Sequence, residues 1–599
     1  MAWYNQGQFI GTEELLMNES ALSARRATGL GGLCAFLSVF LLAWLTGFDN
    51  TRRFEWVFAA ALLWLGGSLF WRNPDRRLKV AFGLFGGFFM LAMGLGLRLE
   101  THGETGLWGL VASIVLGVAA GPAAGAAAIG VFRAMSRFSK TLHLKMSRTF
   151  WISLVLLVLC WSPVLVAYFP GITGYDMDFQ IYQIVSGNYS SHHPLLHTLF
   201  IEAFYRLGAA LGSPSLGYGL YTLMQALLRA CSIAYAMAWL ASIGCPRDLW
   251  IAFFLFFALS PQHAIMAASG TKDILFAACM LAAVVEICRL MLEPRRRNCK
   301  WVLLADAVLI AAACMFRNNA VYGFVALIFV SVVFFRRKLG KRVLAVILAG
   351  AVIAEGGMMA LSAATGAADG SVRELMSIPC QQLARVYDRY GLSVPVGYEI
   401  REVLPDAENY APDRADFTKR SAKVTTPERM TYFLKLWARE ALHFPIEYID
   451  AFLLNTSGFW YVNDFTFATT YDEVEGSYVG CMVLGHNAAT GIDAPTLLPG
   501  LRALFGELFS HNGYQRFPVL WMLLHPALYT WLLGFVLAWA WYCRKRCVLF
   551  AGCVLLSYLI TLLMGPCAII RYQYYLMLAA PVLLGLLCAQ TRHVPVSRA

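Results

Sequence analysis

The chain has 599 residues, of which 59% are hydrophobic and only 14% charged, with a formal net charge of +12. Soluble globular domains carry about a quarter charged residues, and apolar runs here reach the roughly 18–20 residues that span a bilayer. A soluble enzyme, a disordered chain, a nucleic-acid-binding arm and a secreted disulfide scaffold are therefore excluded. The positive excess is the kind that polytopic proteins place in cytoplasmic loops. Most of the 15 Cys fall singly inside apolar runs, as with Cys160, Cys231, Cys279 and Cys314, and none has metal-type spacing.

The N-terminus is polar to about Arg26 and lacks the basic region and cleavage site of a signal peptide. Apolar runs follow at 31–48, 55–71, 80–98, 107–132 and 150–169, then at 218–243, 248–261, 272–292, 301–316, 319–335 and 343–364, and finally at 517–541, 548–566 and 573–589. The pattern predicts an α-helical polytopic membrane protein with about fourteen transmembrane helices. Four regions follow: an N-terminal tail and four-helix membrane region (1–149), a membrane core (150–364), a soluble segment (365–516) and C-terminal helices (517–599).

Short basic connectors fix the expected orientation: Arg72–Lys79, Arg133–Arg148, Arg295-Arg296-Arg297, Arg336–Arg342 and Arg544-Lys545-Arg546. With all five in the cytoplasm, both termini are cytoplasmic in the cell membrane and 365–516 lies outside. That segment holds 19 of the 36 acidic residues but 13 of the 48 basic ones. It is expected to be mostly α or α/β, and 428–444 places Met430, Phe433, Leu434, Trp437, Ala441 and Phe444 on one helical face. Residues 194–211 are apolar enough to span, but a span there would invert the basic connector at 295–300. Glu202 and Arg206, four apart, suit a surface pair. The stretch is read as an interfacial helix within one external loop, 170–217. Gly121-Pro-Ala-Ala-Gly125 has the small-residue spacing of close helix packing in a bilayer. Cys380 and Cys481 could form an external disulfide.

Candidate chemistry gathers at the external ends of the runs. Asp176 and Asp178 follow the run 150–169 directly, and Gln180, His192, His193 and His197 come next. A carboxylate at this boundary can serve as a general base, with partial burial expected to raise its pKa toward the working range; a solvated helix-capping acid is the plain alternative. His-His followed by Pro is a poor ligand geometry for a metal. Lys272-Asp273 opens a run at its outer end, where Lys272 can bind phosphate and Asp273 can cap the helix. Arg317-Asn318-Asn319 separates two runs, and Arg571-Tyr572 begins the last. These cations are either functional or snorkelling to headgroups. Acid and several cations at one depth suit a lipid-borne phosphate ester. Glu286, Asp306, Glu355 and Arg229 lie inside runs at other depths and are read as interhelical pairs or cavity residues. No nucleotide-binding glycine loop or zinc-protease motif is visible.

Pro170-Gly171, Asp176, Gln180, His193-Pro194, Lys272-Asp273 and Arg317-Asn318-Asn319 together resemble the first external loop and following elements of bacterial GT-C-fold membrane glycosyltransferases. The resemblance covers about 150–340 and extends loosely to 378–391 and Arg571-Tyr572. It differs in that Met177 separates the two acids, which are commonly adjacent in that family. It implies a GT-C-like core and a polyprenyl-phosphate-linked sugar as donor. The acceptor would be an envelope glycan, glycolipid or protein, with membrane lipids as surroundings and no nucleic acid. It also implies Asp176 as general base, Lys272, Arg317 and Arg571 as donor-phosphate ligands, and Asp178, Gln180, His192, His193, Asp273, Asn318 and Tyr572 in support. Asp273 would orient Lys272 or help hold a divalent cation, whose involvement stays open. One base and a phosphate leaving group imply an inverting displacement. A ligase or polymerase of lipid-linked glycans, a transporter or flippase, and an inactive envelope-binding scaffold remain as alternatives.

Overall fold

The computed structural model describes residues 4–47, 53–138, 140–173, 175–335, 340–462, 490–509 and 513–591. It is helical almost throughout. The chain order is α1 (Tyr4–Leu45), α2 (Arg53–Arg72), α3 (Arg76–His102), α4 (Gly106–Ser136), α5 (Met146–Ala167), β1 (Ile172–Thr173), α6 (Tyr175–Ser186), α7 (Leu195–Ala210), α8 (Pro214–Ser242), α9 (Arg247–Leu259), α10 (Pro261–Ala268), β2 (Ser269–Gly270), α11 (Lys272–Leu292), α12 (Lys300–Phe316), α13 (Ala320–Val330) and α14 (Lys341–Thr365). The polar segment contributes α15 (Ser377–Tyr390), α16 (Pro395–Val403), α17 (Asp416–Lys419), α18 (Pro427–His443), α19 (Pro445–Thr456) and α20 (Pro499–Phe509). The chain closes with α21 (Pro518–Leu524), α22 (Pro526–Tyr542), α23 (Arg546–Leu562) and α24 (Ile570–Thr591).

Every apolar run of the sequence is helical. By length and composition, eight helices among the described residues can cross a membrane, or up to ten if two bent pairs each count once. The bent pairs are α9 with α10 (45°) and α21 with α22 (69°). Pro261 and Pro526 open the second helix of each pair and cannot donate a backbone hydrogen bond to the preceding turn, which accounts for both breaks.

Two compact units are present, residues 1–137 with 537–544, and 138–536 with 545–599. In the first, α3 and α4 approach closely through glycines. A Cβ on Gly121 would come within 2.8 Å of Gly87 Cα, and one on Gly125 within 2.7 Å of the Phe82 carbonyl oxygen. This is the close packing expected of the Gly121–Gly125 spacing.

In the second unit, α11 and α24 are the most enclosed spans, with 78% and 89% of their apolar windows buried. Their apolar stretches are therefore covered largely by neighbouring protein. α11 neighbours α8, α12 and α24, and α8 packs on α5 and α7. Thr271 caps α11 through its hydroxyl, which accepts from the Asp273 amide. The Glu202–Arg206 pair forms on α7. The described part of 365–516 is built of helices around one core, with Cys380, Leu383, Val386, Ile400, Phe433, Leu436 and Tyr448 buried. Met430, Trp437, Ala441 and Phe444 pack against that core as the α18 periodicity requires, but Leu434 is exposed and Leu436 takes the inward place. Cys380 is buried in this core, and Cys481 lies outside the described residues. The helical segment is fastened to the turn before α24, where Pro566 and Gly565 carbonyls accept from the Ala415 amide (2.8 Å) and Asn455 Nδ2 (3.0 Å).

Candidate active site

β1 and β2 pair in parallel, Ile172 with Ser269 and Thr173 with Gly270. This short pairing brings the segment before Asp176 alongside the segment before Lys272. Gly270 is required there, because a Cβ at that position would run into the Tyr218 hydroxyl and the Met177 side chain. α6 buries Met177, Ile181 and Ile184 against Ile201 and Tyr221, and its opposite face exposes Phe179, Tyr182 and Val185. Asp176, in the first turn of α6, is thereby directed at the starts of α11 and α24.

Lys272 Nζ donates to Asp176 Oδ2 at 2.8 Å and Arg571 Nη1 donates to the same oxygen at 3.0 Å. Arg571 also lies 3.9 Å from Asp273 Oδ2, and Arg317 pairs with Asp273. The Tyr572 ring is stacked by both guanidiniums, with Arg317 4.4 Å and Arg571 5.2 Å from its centroid. Side-chain exposure is 16% for Asp176, 13% for Lys272, 17% for Arg571 and 1% for Asp273, so solvent screens these pairs only weakly. Residues 96 and 395 positions beyond Asp176 thus converge on one carboxylate.

Burial alone would raise the Asp176 carboxyl, as the sequence suggests. The structure reverses that expectation: the Arg571 and Lys272 cations outweigh burial and hold the group well below the usual carboxylate range. Asp178 behaves oppositely. It has no ion pair or hydrogen bond among the described residues, no cation offsets its burial, and burial pushes it up to about 6. His193 is pushed down to about 3, chiefly by burial and then by the neighbouring Lys272 cation. It is neutral at pH 7, and its Nδ1 accepts from Lys272 Nζ at 3.2 Å.

The supporting residues divide. His192 is exposed beside His193, with ring centroids 4.6 Å apart. Asn318 donates to the Ser191 carbonyl (3.2 Å) and so steadies the loop that carries both histidines, whereas Asn319 reaches Thr561 (3.4 Å). Gln180 does not touch the cluster; it is buried against Thr198 and His197. His197, Tyr221 and Gln225 form a buried polar chain with it that sequence reasoning missed. Tyr221 and Gln225 lie four apart on α8, but that helix also carries Thr222, Arg229 and Ser232, so their spacing alone does not single them out.

Among the polar residues inside the runs, Glu286 pairs with Arg289 (3.5 Å) and Arg296, and Asp306 is buried near them. Arg229 is fully buried without an acidic partner among the described residues. It lies 4.0 Å from the Trp161 ring and donates to the Tyr574 hydroxyl and the His263 carbonyl, each at 2.6 Å. Glu355 is exposed on α14 and has no ion pair among the described residues, while its charge acts on Cys314 of α12.

A divalent cation shared by Asp176 and Asp273 does not fit this arrangement, because the Arg571 guanidinium reaches both carboxylates. No group of three or more His, Cys, Asp or Glu among the described residues is placed to hold a metal.

Residues 185–598 match a family described only as a family of unknown function (DUF6020), and the chain belongs to that family. His193, Lys272, Asp273, Arg317 and Arg571 fall inside the matched range, and Asp176 precedes it by nine positions. No curated protein and no solved structure matches the chain.

Asp178 yields a prediction about stability. Its folded pKa is raised from 3.8 to about 6, so the folded chain holds the extra proton between those values. The penalty of ionising it is absent below pH 3.8 and fully present above about pH 6. Asp178→Asn removes that penalty. After allowance for solvent screening of a half-exposed group this is about 1 kcal/mol, or a melting temperature higher by about 2 °C at pH 7.5. The gain should vanish by pH 4. Thermal unfolding across pH 4–8 measures it, and a loss of stability at pH 7.5 would mean that ionised Asp178 has a favourable partner.

Proposed function

We propose that this member of a family of unknown function is a membrane glycosyltransferase, moving a sugar from a polyprenyl-phosphate donor to a cell-envelope acceptor on the extracytoplasmic face. The observation that carries the reading is Asp176 held between Lys272 and Arg571, with Arg317 close behind, where α11, α12 and α24 meet at one end of an apolar helical assembly. Three cations face two carboxylates there. The excess positive charge suits a lipid phosphate, and the cations' low exposure makes them effective partners for the charge that grows on a departing phosphate. The donor carries its own leaving group, so the reaction needs no nucleotide.

In the proposed step Asp176 takes the proton of an acceptor hydroxyl as that oxygen bonds to the anomeric carbon. The bond from that carbon to the phosphate oxygen breaks, and polyprenyl phosphate leaves with the electron pair. A single displacement inverts the anomeric configuration. Asp176 is a weak base while Arg571 and Lys272 hold it. A donor phosphate would compete for both cations, loosening their hold and strengthening the base only once the donor is in place. Asp273 would keep Arg317 directed at the same phosphate.

The reading includes the expected topology of about fourteen spans, with both termini cytoplasmic and 365–516 outside. In a background with native accessible cysteines replaced, Asn188→Cys and Glu402→Cys should react with an impermeant maleimide from outside intact cells, and Asn298→Cys only after permeabilisation. Opposite sidedness of the first two would break the topology.

For the chemistry, purified full-length chain in proteoliposomes is given radiolabelled polyprenyl-phosphate sugars and envelope acceptors. Asp176→Asn should lower kcat by about 100-fold or more, the usual contribution of a general base. Donor KM should stay equal or fall, since a competing anion has been removed from Lys272 and Arg571. Asp178→Asn should be much milder. Transfer by Asp176→Asn at the wild-type rate would end the general-base assignment, and net lipid translocation without transfer would favour a flippase.

A further inference from the structure

Beside the charged cluster runs a second set of polar side chains that the proposed chemistry does not use. Gln180, His197, Thr198, Tyr221 and Gln225 are all buried to within 3% of complete enclosure. Gln225 Nε2 donates to the Ser269 carbonyl at 2.6 Å, and the Tyr221 hydroxyl donates to Gln225 Oε1 at 2.8 Å. His197 Nε2 lies 2.7 Å from the Tyr221 hydroxyl oxygen, and its Nδ1 lies 2.9 Å from the Gln180 carboxamide. The other end of that carboxamide is 2.9 Å from Thr198 Oγ1.

The direction of every bond follows from the fixed end. Ser269 offers a carbonyl, so Gln225 must donate there and accept from Tyr221. Tyr221 has then used its single hydrogen, and its oxygen must accept from His197 Nε2–H. His197 is neutral at pH 7, pushed down to about 3 by burial and then by Lys272. Its Nδ1 is therefore bare and needs a donor. The two orientations of the Gln180 carboxamide exchange nitrogen and oxygen in place, and neutral His197 selects the one that turns Nε2 toward Nδ1 and Oε1 toward the Thr198 hydroxyl. The five bonds then run in one direction, from Thr198 through Gln180, His197, Tyr221 and Gln225 to Ser269. A buried chain in which each bond fixes the direction of the next restrains its members.

Its two ends lie on the segments that carry Asp176 and Lys272. Gln180 is four residues from Asp176 on α6, hence one turn along the same face. Ser269 is three residues before Lys272. The His197 ring also contacts Phe316, with centroids 6.4 Å apart, next to Arg317. Apart from the Asp176–Lys272 pair itself, these segments are tied by the Tyr218 hydroxyl, which donates to the Ile172 carbonyl at 3.0 Å, and by the β1–β2 pairing of two residues each, too short to fix a spacing by itself. We propose that the relay Gln180–His197–Tyr221–Gln225–Ser269 sets the distance between Asp176 and Lys272, making His197 and Tyr221 positioning residues of the site.

The test uses the full-length chain in lipid nanodiscs. Asp176→Asn and Lys272→Met are made singly and together, in the wild-type and the Tyr221→Phe background, and melting temperatures give the non-additivity between them. The relay predicts that this non-additivity falls by at least half in Tyr221→Phe. A uniform drop in melting temperature with non-additivity unchanged would overturn the proposal and leave Tyr221 a core residue. A second pair guards against simple misfolding. In His197→Gln the side-chain Nε2 can reach the imidazole Nε2 position and still donate to Tyr221, so the coupling should survive, whereas His197→Leu should lose it; equal behaviour of the two, or failure of all three variants to fold, would also overturn the proposal. Only the turnover measurement rests on the transferase reading: Tyr221→Phe should lower kcat about tenfold with donor KM within twofold. A wild-type chain that transfers no sugar would sink that reading, while the melting-temperature cycle would still decide the relay.

Discussion

A carboxylate between two cations, in surroundings where solvent does little to screen them, is the constraint on which the rest depends. An unpaired charge at such a place is costly, and removing one partner from a buried pair costs about 3–5 kcal/mol. Asp176, Lys272 and Arg571 are therefore tolerated there only together, and the chain must bring α6, α11 and α24 to one point. The β1–β2 pairing, the enclosed positions of α11 and α24 and the glycine at 270 all serve that meeting. Asp273 extends the arrangement to Arg317, so four of the five charges are neutralised in pairs and one cation remains in excess.

The same pairing that makes the cluster stable suppresses the basicity of its acid. Asp176 stays ionised near neutral pH while both cations face it. In the proposed reaction it would become an effective base only once a donor phosphate drew the cations away. This would give the proposed transferase an order of events, donor before acceptor activation, without any moving lid. Asp178, two residues away on the same short helix, has the opposite electrostatic setting because it faces no cation. Their difference depends on three-dimensional neighbours, not on the residue type.

Much of the fold was legible in the sequence because apolar length and apolar periodicity are one-dimensional signals. The apolar runs are helices, the 428–444 stripe is an inward face apart from Leu434, and the Gly121–Gly125 spacing is a close helix contact. The bend at Pro526 was less visible, since the apolar run 517–541 continues across it, and the run 248–261 stops at Pro261, where a second helix begins. The residues of the cluster could be selected from their type and their position at the ends of runs. The direction of the Asp176 shift could not, because it is set by partners 96 and 395 residues away. Nor could the buried relay, since Gln180, His197, Tyr221 and Gln225 acquire meaning only when α6, α7, α8 and β2 are assembled.

The most direct test of the whole account is an electron cryomicroscopy structure of the full-length chain in nanodiscs with polyprenyl phosphate bound. The account predicts phosphate density within hydrogen-bond reach of Lys272 and Arg571, with Asp176 released from at least one of them. Phosphate bound elsewhere, with Asp176 still held by both cations, would contradict it.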